Sequence, residues 1–205
     1  MKTRVLPADA PDAIDSAVRV LRAGGLVAFP TDTVYGVGAL AFDDNAVRSI
    51  YEAKGRSEEK AIPILLADPD DLEKVAEDLP DAARRLAARF WPGPLTLVVP
   101  KQASLPPAVS ASETVGVRIP DHPVARSLLR AAGPMAVTSA NRSGEPSPRT
   151  AEDVLVQLDG RIDMILDGGT TPGGTASTVL DCTRPQPVVL RNGPVSQEEI
   201  DLSLH

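Results

Sequence analysis

The 205-residue chain holds one cysteine, Cys182, and two histidines, His122 and His205. A lone cysteine excludes an intramolecular disulfide and a cysteine-based zinc site. Two histidines exclude a His-rich metal centre. Aromatic residues make up 3%, too few for a base-stacking platform for single-stranded nucleic acid. No apolar run approaches the roughly 20 residues that span a bilayer. The opening Met-Lys-Thr-Arg-Val-Leu-Pro-Ala-Asp lacks the apolar core of a signal peptide. These absences point to a cytoplasmic protein with no membrane contact. Positive charge is the scarcer sign: 21 basic residues face 28 acidic ones, for a net charge of −7. That disfavours coating nucleic acid through bulk charge and leaves a local basic cleft open. Sixteen of the 21 are Arg, the residue suited to bidentate contact with carboxylate and phosphate.

What is present is ordinary for a globular chain: 42% apolar and 24% charged residues, in a length sufficient for a full hydrophobic core. Helical spacing predicts helices over 11–23, 80–90, 123–132 and 151–158, and a further one over 69–79. Asp43 or Asp44 caps a helix that ends at Gly55. Apolar runs predict strands over 26–29, 62–66, 95–99, 115–119, 135–138, 162–166, 177–180 and 188–190. Residues 31–38 read as a polar, Gly-punctuated stretch, and Ser196 with Glu199 as a capping box. Strands alternating with amphipathic helices predict one layered α/β domain over residues 1–205, with its core at about 8–194.

Polar clusters follow the ends of apolar strands, where open α/β sheets bind ligands. Thr31-Asp32-Thr33-Val34-Tyr35 is either a binding loop or a hydroxyl-rich turn that satisfies its own backbone. Lys54-Gly55-Arg56 either complements a helix dipole or clamps a phosphate. Thr138-Ser139-Ala140-Asn141 with Ser147 is either a set of donors and acceptors for a ligand or a loop leading to a helix cap. The Gly-rich stretch 168–175 matches neither a P-loop nor a dinucleotide fingerprint. Arg118 and Arg191 each place one charge in an apolar strand, which demands a partner: an acidic side chain or a ligand anion. His122 reads as a structural loop residue and Cys182 as a small core residue.

The order of these clusters is more specific than any one of them. Lys54-Gly55-Arg56 followed by Ser139-Ala140-Asn141 resembles the Lys-x-Arg…Ser-x-Asn signature of the YrdC family, the L-threonylcarbamoyladenylate synthases. Phe29-Pro-Thr-Asp-Thr-Val-Tyr-Gly-Val-Gly38, Val117-Arg-Ile-Pro120, Ser177-Thr-Val-Leu-Asp181 and Leu190-Arg-Asn-Gly193 extend the likeness. The resemblance implies a twisted mixed parallel and antiparallel sheet flanked by helices around a concave, positively charged cleft. It implies condensation of L-threonine, bicarbonate or CO2, and ATP (with Mg2+) to threonylcarbamoyl-AMP and pyrophosphate. Separate transferase proteins then carry the threonylcarbamoyl group to tRNA. By the same resemblance Lys54 and Arg56 are catalytic, and hold ATP with Thr114, Ser139, Asn141, Ser147 and Arg191. Thr31, Arg118 and Ser177 match positions around threonine. No metal ligand set is defined, although Asp32 is an acid near the site. Longer relatives carry a further C-terminal domain on a linker, so the expectation is a synthase domain alone. Ala176 stands where many relatives have Glu. The competing reading is a module that binds double-stranded RNA or tRNA without catalysis.

Overall fold

The structure is a computed structural model that describes residues 2–204. The chain runs β1 (Arg4–Pro7), α1 (Ala13–Arg22), β2 (Val27–Phe29), β3 (Gly36–Leu40), α2 (Asp44–Lys54) and β4 (Ile64–Leu65). It continues through a 3-10 helix (Pro69–Lys74), α3 (Asp81–Phe90), β5 (Leu95–Pro100), β6 (Thr114–Arg118), α4 (Pro123–Ala132) and β7 (Met135–Ser139). It closes with α5 (Ala151–Leu158), β8 (Met164–Asp167), β9 (Thr178–Asp181), β10 (Val188–Arg191) and α6 (Gln197–Leu204). All strands join one mixed sheet in the order β1-β8-β2-β3-β7-β4-β6-β5-β9-β10. The predicted fold class, an α/β domain on a mixed sheet with flanking helices, is the observed one.

Local chemistry sets the element ends. Asp43 caps α2 by accepting from the Ala46 amide at 3.0 Å, and Gly55 ends that helix at φ 60°, a conformation that favours glycine. Thr150 and Asp153 form a capping box at α5. Ser196 and Glu199 form another: the Ser196 amide donates to Glu199 Oε2 at 2.8 Å, and the Glu199 amide to Ser196 Oγ at 3.3 Å.

Two expectations differ from the structure, and one strand was not foreseen. The helix expected over 69–79 is a 3-10 helix over Pro69–Lys74; within it only Leu72 packs against the core, and a single apolar contact gives no stripe along which a longer helix would dock. The polar stretch 31–38 instead enters strand β3 at Gly36. Glycine signals a turn there, but β3 needs it for close approach: a Cβ at Gly38 would lie 2.6 Å from the Ala136 carbonyl oxygen of β7. Edge strand β1 carries no alternating burial and had no sequence signal.

Alternate residues of each strand face opposite layers. Ala28, Ala136 and Ile165 face one core, with Ile50 of α2, Leu86 of α3, Val154 of α5 and Ile200 of α6. Val27, Phe29, Met135, Met164 and Leu166 face a second core, with Leu21 of α1 and Leu128 of α4. No residue of β5, β6, β9 or β10 belongs to that second core. On the α1 and α4 side, half of the sheet is therefore left without a helical cover.

Candidate active site

The uncovered half forms the floor of a cleft of about 320 Å³. Its strands place the side chains by register. Thr96 of β5 pairs with Val179 of β9, and Val179 with Arg191 of β10. On the other flank Leu97 pairs with Val117 in antiparallel β6, which sets Arg118 beside Thr96. By register the row across the floor runs Arg118, Thr96, Val179 and Arg191; Ser177, just before β9, joins Thr96 to Arg191 through hydrogen bonds to both, and all of these residues line the cleft. Gly116 lines it too; a Cβ there would lie 3.1 Å from the Thr96 methyl and 3.3 Å from Pro63 Cβ.

Arg118 is 5% exposed. Its Nε donates to the Gly93 carbonyl at 2.9 Å and its Nη1 to Thr33 Oγ1 at 3.1 Å. Its Nη2 pairs with Asp32 Oδ1. The structure therefore supplies the acidic partner that a strand-embedded arginine demands. Burial pulls the Arg118 pKa down and the Asp32 carboxylate pulls it back up. A guanidinium has five N–H groups; three are used, so two are left for a ligand. Asp32 Oδ2 is buried without a hydrogen-bond partner among the described residues. With its other oxygen on Arg118, Asp32 is ill placed to take a metal ion.

At the other end of the row, Arg191 donates through Nε and Nη2 to the Ser177 carbonyl at 3.0 and 2.8 Å, and through Nη2 to Ser177 Oγ at 3.1 Å. Arg56 reaches the wall from beyond α2. It is held by the carbonyls of Lys60, at 3.2 Å from Nη2, and Ala61, at 3.1 Å. Burial lowers the pKa of both Arg56 and Arg191, and the Arg56 charge lowers that of Arg191 further. Three arginines line the cleft, and no acidic side chain does among the described residues.

Of the residues singled out from the sequence, Thr31, Arg56, Arg118, Ser139, Ser177 and Arg191 line the cleft, whereas Lys54, Thr114, Asn141 and Ser147 do not. Lys54 is 2% exposed. Its Nζ donates to the carbonyls of Ser139 and Asn141, and so ties the end of α2 to the loop after β7. Burial, reinforced by the Arg56 charge, pushes its pKa down to about 7. Asn141 braces that loop, its Nδ2 donating to the carbonyls of Arg142 at 2.8 Å and Glu145 at 2.7 Å. Ser147 is half-buried nearby, and Thr114 Oγ1 sits 3.0 Å from Ser112 Oγ. Thr31 meets both of its readings. Its hydroxyl donates to the Val34 carbonyl at 2.7 Å and accepts from the Thr33 amide at 3.1 Å, yet the residue also lines the cleft.

The Gly-rich stretch turns its amides towards the protein. Gly168 donates to Tyr35 Oη at 3.1 Å, and Gly174 to the Thr33 carbonyl at 2.7 Å. His122 is half-buried and occupies the cap position of α4 without a side-chain cap bond. Cys182 is a core residue, 1% exposed, its thiol pushed up to about 12 by burial. Thr33, part of the candidate loop at 31–35, lines the cleft as well; sequence reading missed Thr96 and the apolar wall of Val98, Val137 and Val179. The one available signal was Thr96, the polar residue in Leu-Thr-Leu-Val-Val.

Residues 19–193 match the Sua5/YciO/YrdC family, described as "Telomere recombination". A threonylcarbamoyl-AMP synthase of Bacillus subtilis is 49% identical over 191 residues, which cover 92% of this chain and 55% of that protein. A putative threonylcarbamoyl-AMP synthase of Mycobacterium tuberculosis is 47% identical over 188 residues, covering 91% of this chain and 87% of that one. The crystal structure of Pyrococcus abyssi Sua5 complexed with L-threonine superposes with a TM-score of 0.94 at 43% identity, over 100% of this chain and 61% of that one. The chain thus spans about half the length of the Bacillus relative. Family match, sequence identity and fold agree: the chain belongs to the Sua5/YciO/YrdC family.

Proposed function

We propose that this chain condenses L-threonine, bicarbonate or CO2, and ATP to threonylcarbamoyl-AMP and pyrophosphate. The observation that carries the reading is the uncovered sheet face, with Arg118 at one end, Arg191 at the other and no carboxylate between them. Two anionic reactants must meet, and paired cations flanking neutral hydroxyls suit that task. Relatives bearing the name threonylcarbamoyl-AMP synthase, and a solved relative with L-threonine bound, support the same reading.

In this mechanism the two remaining N–H groups of Arg118 take the threonine carboxylate as a fork. Thr31 places the amino acid beside them. The neutral threonine amine adds to the carbon of CO2 and gives up one N–H proton to solvent, leaving a carbamate whose oxygen attacks the α-phosphorus of ATP. A carbamate C–O–P bond forms, and the bond from the α-phosphorus to the bridging oxygen of pyrophosphate breaks. Arg56 and Arg191 offset the charge that builds on the pyrophosphate. Ser139 contacts the nucleotide, on a loop that Lys54 and Asn141 hold in place, and Thr114 and Ser147 are assigned to the nucleotide by the family likeness alone. No side chain acts as a covalent nucleophile, so rate comes from positioning and electrostatics. Lys54 discharges easily at neutral pH, and an anion bound nearby restores its proton.

Mg2+ accompanies ATP in this reading. The described residues contain no group of three or more His, Cys, Asp or Glu able to hold a metal ion, so the phosphates carry the ion and no step is assigned to it. The product is a reactive mixed anhydride, which requires a separate transferase that delivers the threonylcarbamoyl group to tRNA. No described helix is long and apolar enough to cross a membrane, and a cytoplasmic location fits the tRNA substrate. The test is pyrophosphate release from ATP. Release that needs both L-threonine and bicarbonate supports the reading; release indifferent to threonine refutes it.

A further inference from the structure

A pair of hydroxyls stands midway along the row between the two arginine anchors. Thr96 Oγ1 and Ser177 Oγ lie 2.8 Å apart, and the residues are 3% and 5% exposed. The Thr96 methyl faces Gly116, where a Cβ would come within 3.1 Å of it; glycine at 116 leaves room for the methyl on that side while Oγ1 meets Ser177. Arg191 Nη2 donates to Ser177 Oγ at 3.1 Å.

Proton counting leaves this pair one donor to spare, whichever of the two hydroxyls carries it. Each hydroxyl has one proton and two lone pairs, and an arginine only donates. Ser177 Oγ therefore accepts from Arg191. The contact between the hydroxyls uses one of their two protons. The second O–H meets no acceptor among the hydrogen bonds of the described residues. Both residues line the cleft, so that donor is available to a ligand, and a buried donor without an acceptor is unfavourable until one arrives.

We infer that Thr96 is a further substrate-contacting residue, and that the Thr96–Ser177 pair donates its remaining proton to an anion of the carboxylate class held midway between Arg118 and Arg191: the carbamate of the amino-acid substrate. This rests on the synthase reading above. A carboxylate bound at Arg118 and phosphates bound at Arg191 leave the middle of the row for the group that joins them. One carbamate oxygen attacks phosphorus, and the other needs a donor to fix its orientation. A neutral hydroxyl provides that with less loss of nucleophilicity than a cation in contact would cause.

The experiment is steady-state pyrophosphate release with bicarbonate varied at saturating L-threonine and ATP. Thr96→Val keeps the shape and removes the hydroxyl. The bicarbonate KM is expected to rise roughly ten- to a hundredfold, the effect of losing a hydrogen bond to a charged group. The ATP KM should stay within about twofold, and Thr96→Ser should recover most of the loss, since it restores the donor. If Thr96→Val proves unstable, Ser177→Ala breaks the same pair and should raise the bicarbonate KM likewise. An unchanged bicarbonate KM overturns the inference. So does an equal rise for ATP, which would aim the proton at phosphate. Weaker binding of L-threonine alone, without bicarbonate or ATP, would aim it at the amino-acid carboxylate and also overturns it. A wild-type protein that needs neither threonine nor bicarbonate brings down the synthase reading and this inference together; a dependent wild type with an unaffected Thr96→Val brings down this inference alone.

Discussion

On the α1 and α4 side of the sheet, β2, β7 and β8 present Phe29, Met135 and Leu166 to helices, whereas β6, β5 and β10 present Arg118, Thr96 and Arg191 to an open cleft. Strand periodicity is the same in both halves. Connectivity differs. Parallel neighbours such as β2 and β8 need long connections that lay helices on the sheet, while antiparallel neighbours can be joined directly. β5 runs to β6, and β9 to β10, as antiparallel pairs with no helix between them. That half of the face stays bare, and its alternate positions can carry charge. Topology opens the cleft, and residue type equips it.

Substitutions in the two halves should have different consequences. Arg118→Ala leaves Asp32 buried without its cation. It should lower stability by about 3–5 kcal/mol, read by urea unfolding, and a loss below about 1 kcal/mol would mean the pair is not buried in effect. Leu128→Ala in the covered half should cost about 2–5 kcal/mol through the cavity it leaves. The rate per folded molecule should not change; a specific loss of turnover would show that the covered half takes part in the chemistry.

Lys54 gives a pH-dependent test. Its folded pKa, about 7, lies below its ordinary value of 10.5, so the fold disfavours the charged form. Below pH 7 both folded and unfolded chains are protonated and the penalty is complete. Above it the unfolded chain binds the extra proton, so stability should rise towards pH 10 by up to about 1.4 kcal/mol per pH unit. Lys54→Met should lose that slope in the ligand-free protein, and an identical slope in both proteins would contradict the assignment. Arg191→Ala, at an exposed edge strand, should change stability by no more than about 0.5 kcal/mol.

Much of this was legible in the sequence, for physical reasons. Helices such as α4 carry an apolar stripe, a proline at the start and a glycine at the end, so three independent signals coincide. The order of Lys54, Arg56, Ser139 and Asn141 pointed to one site. The sequence could not show that Lys54 would lie beneath the cleft wall, because its partners are two backbone carbonyls more than 80 residues away. Thr96 was hidden because a threonine inside a strand is common; the register of β5 with β6 on one side and with β9 on the other places it in the row. β3 was misread because the close approach of β7 requires glycine where glycine alone reads as a turn.

In the proposed reaction the two ends of the open face bind different reactants. Isothermal titration of L-threonine and of ATP into the wild type, Arg118→Lys and Arg191→Ala tests it most directly. Lysine at 118 keeps the charge beside Asp32 and loses the fork. A crossed pattern is expected: Arg118→Lys weakens threonine binding by about tenfold or more and spares ATP, and Arg191→Ala does the reverse. Folded variants that weaken both ligands equally would contradict it.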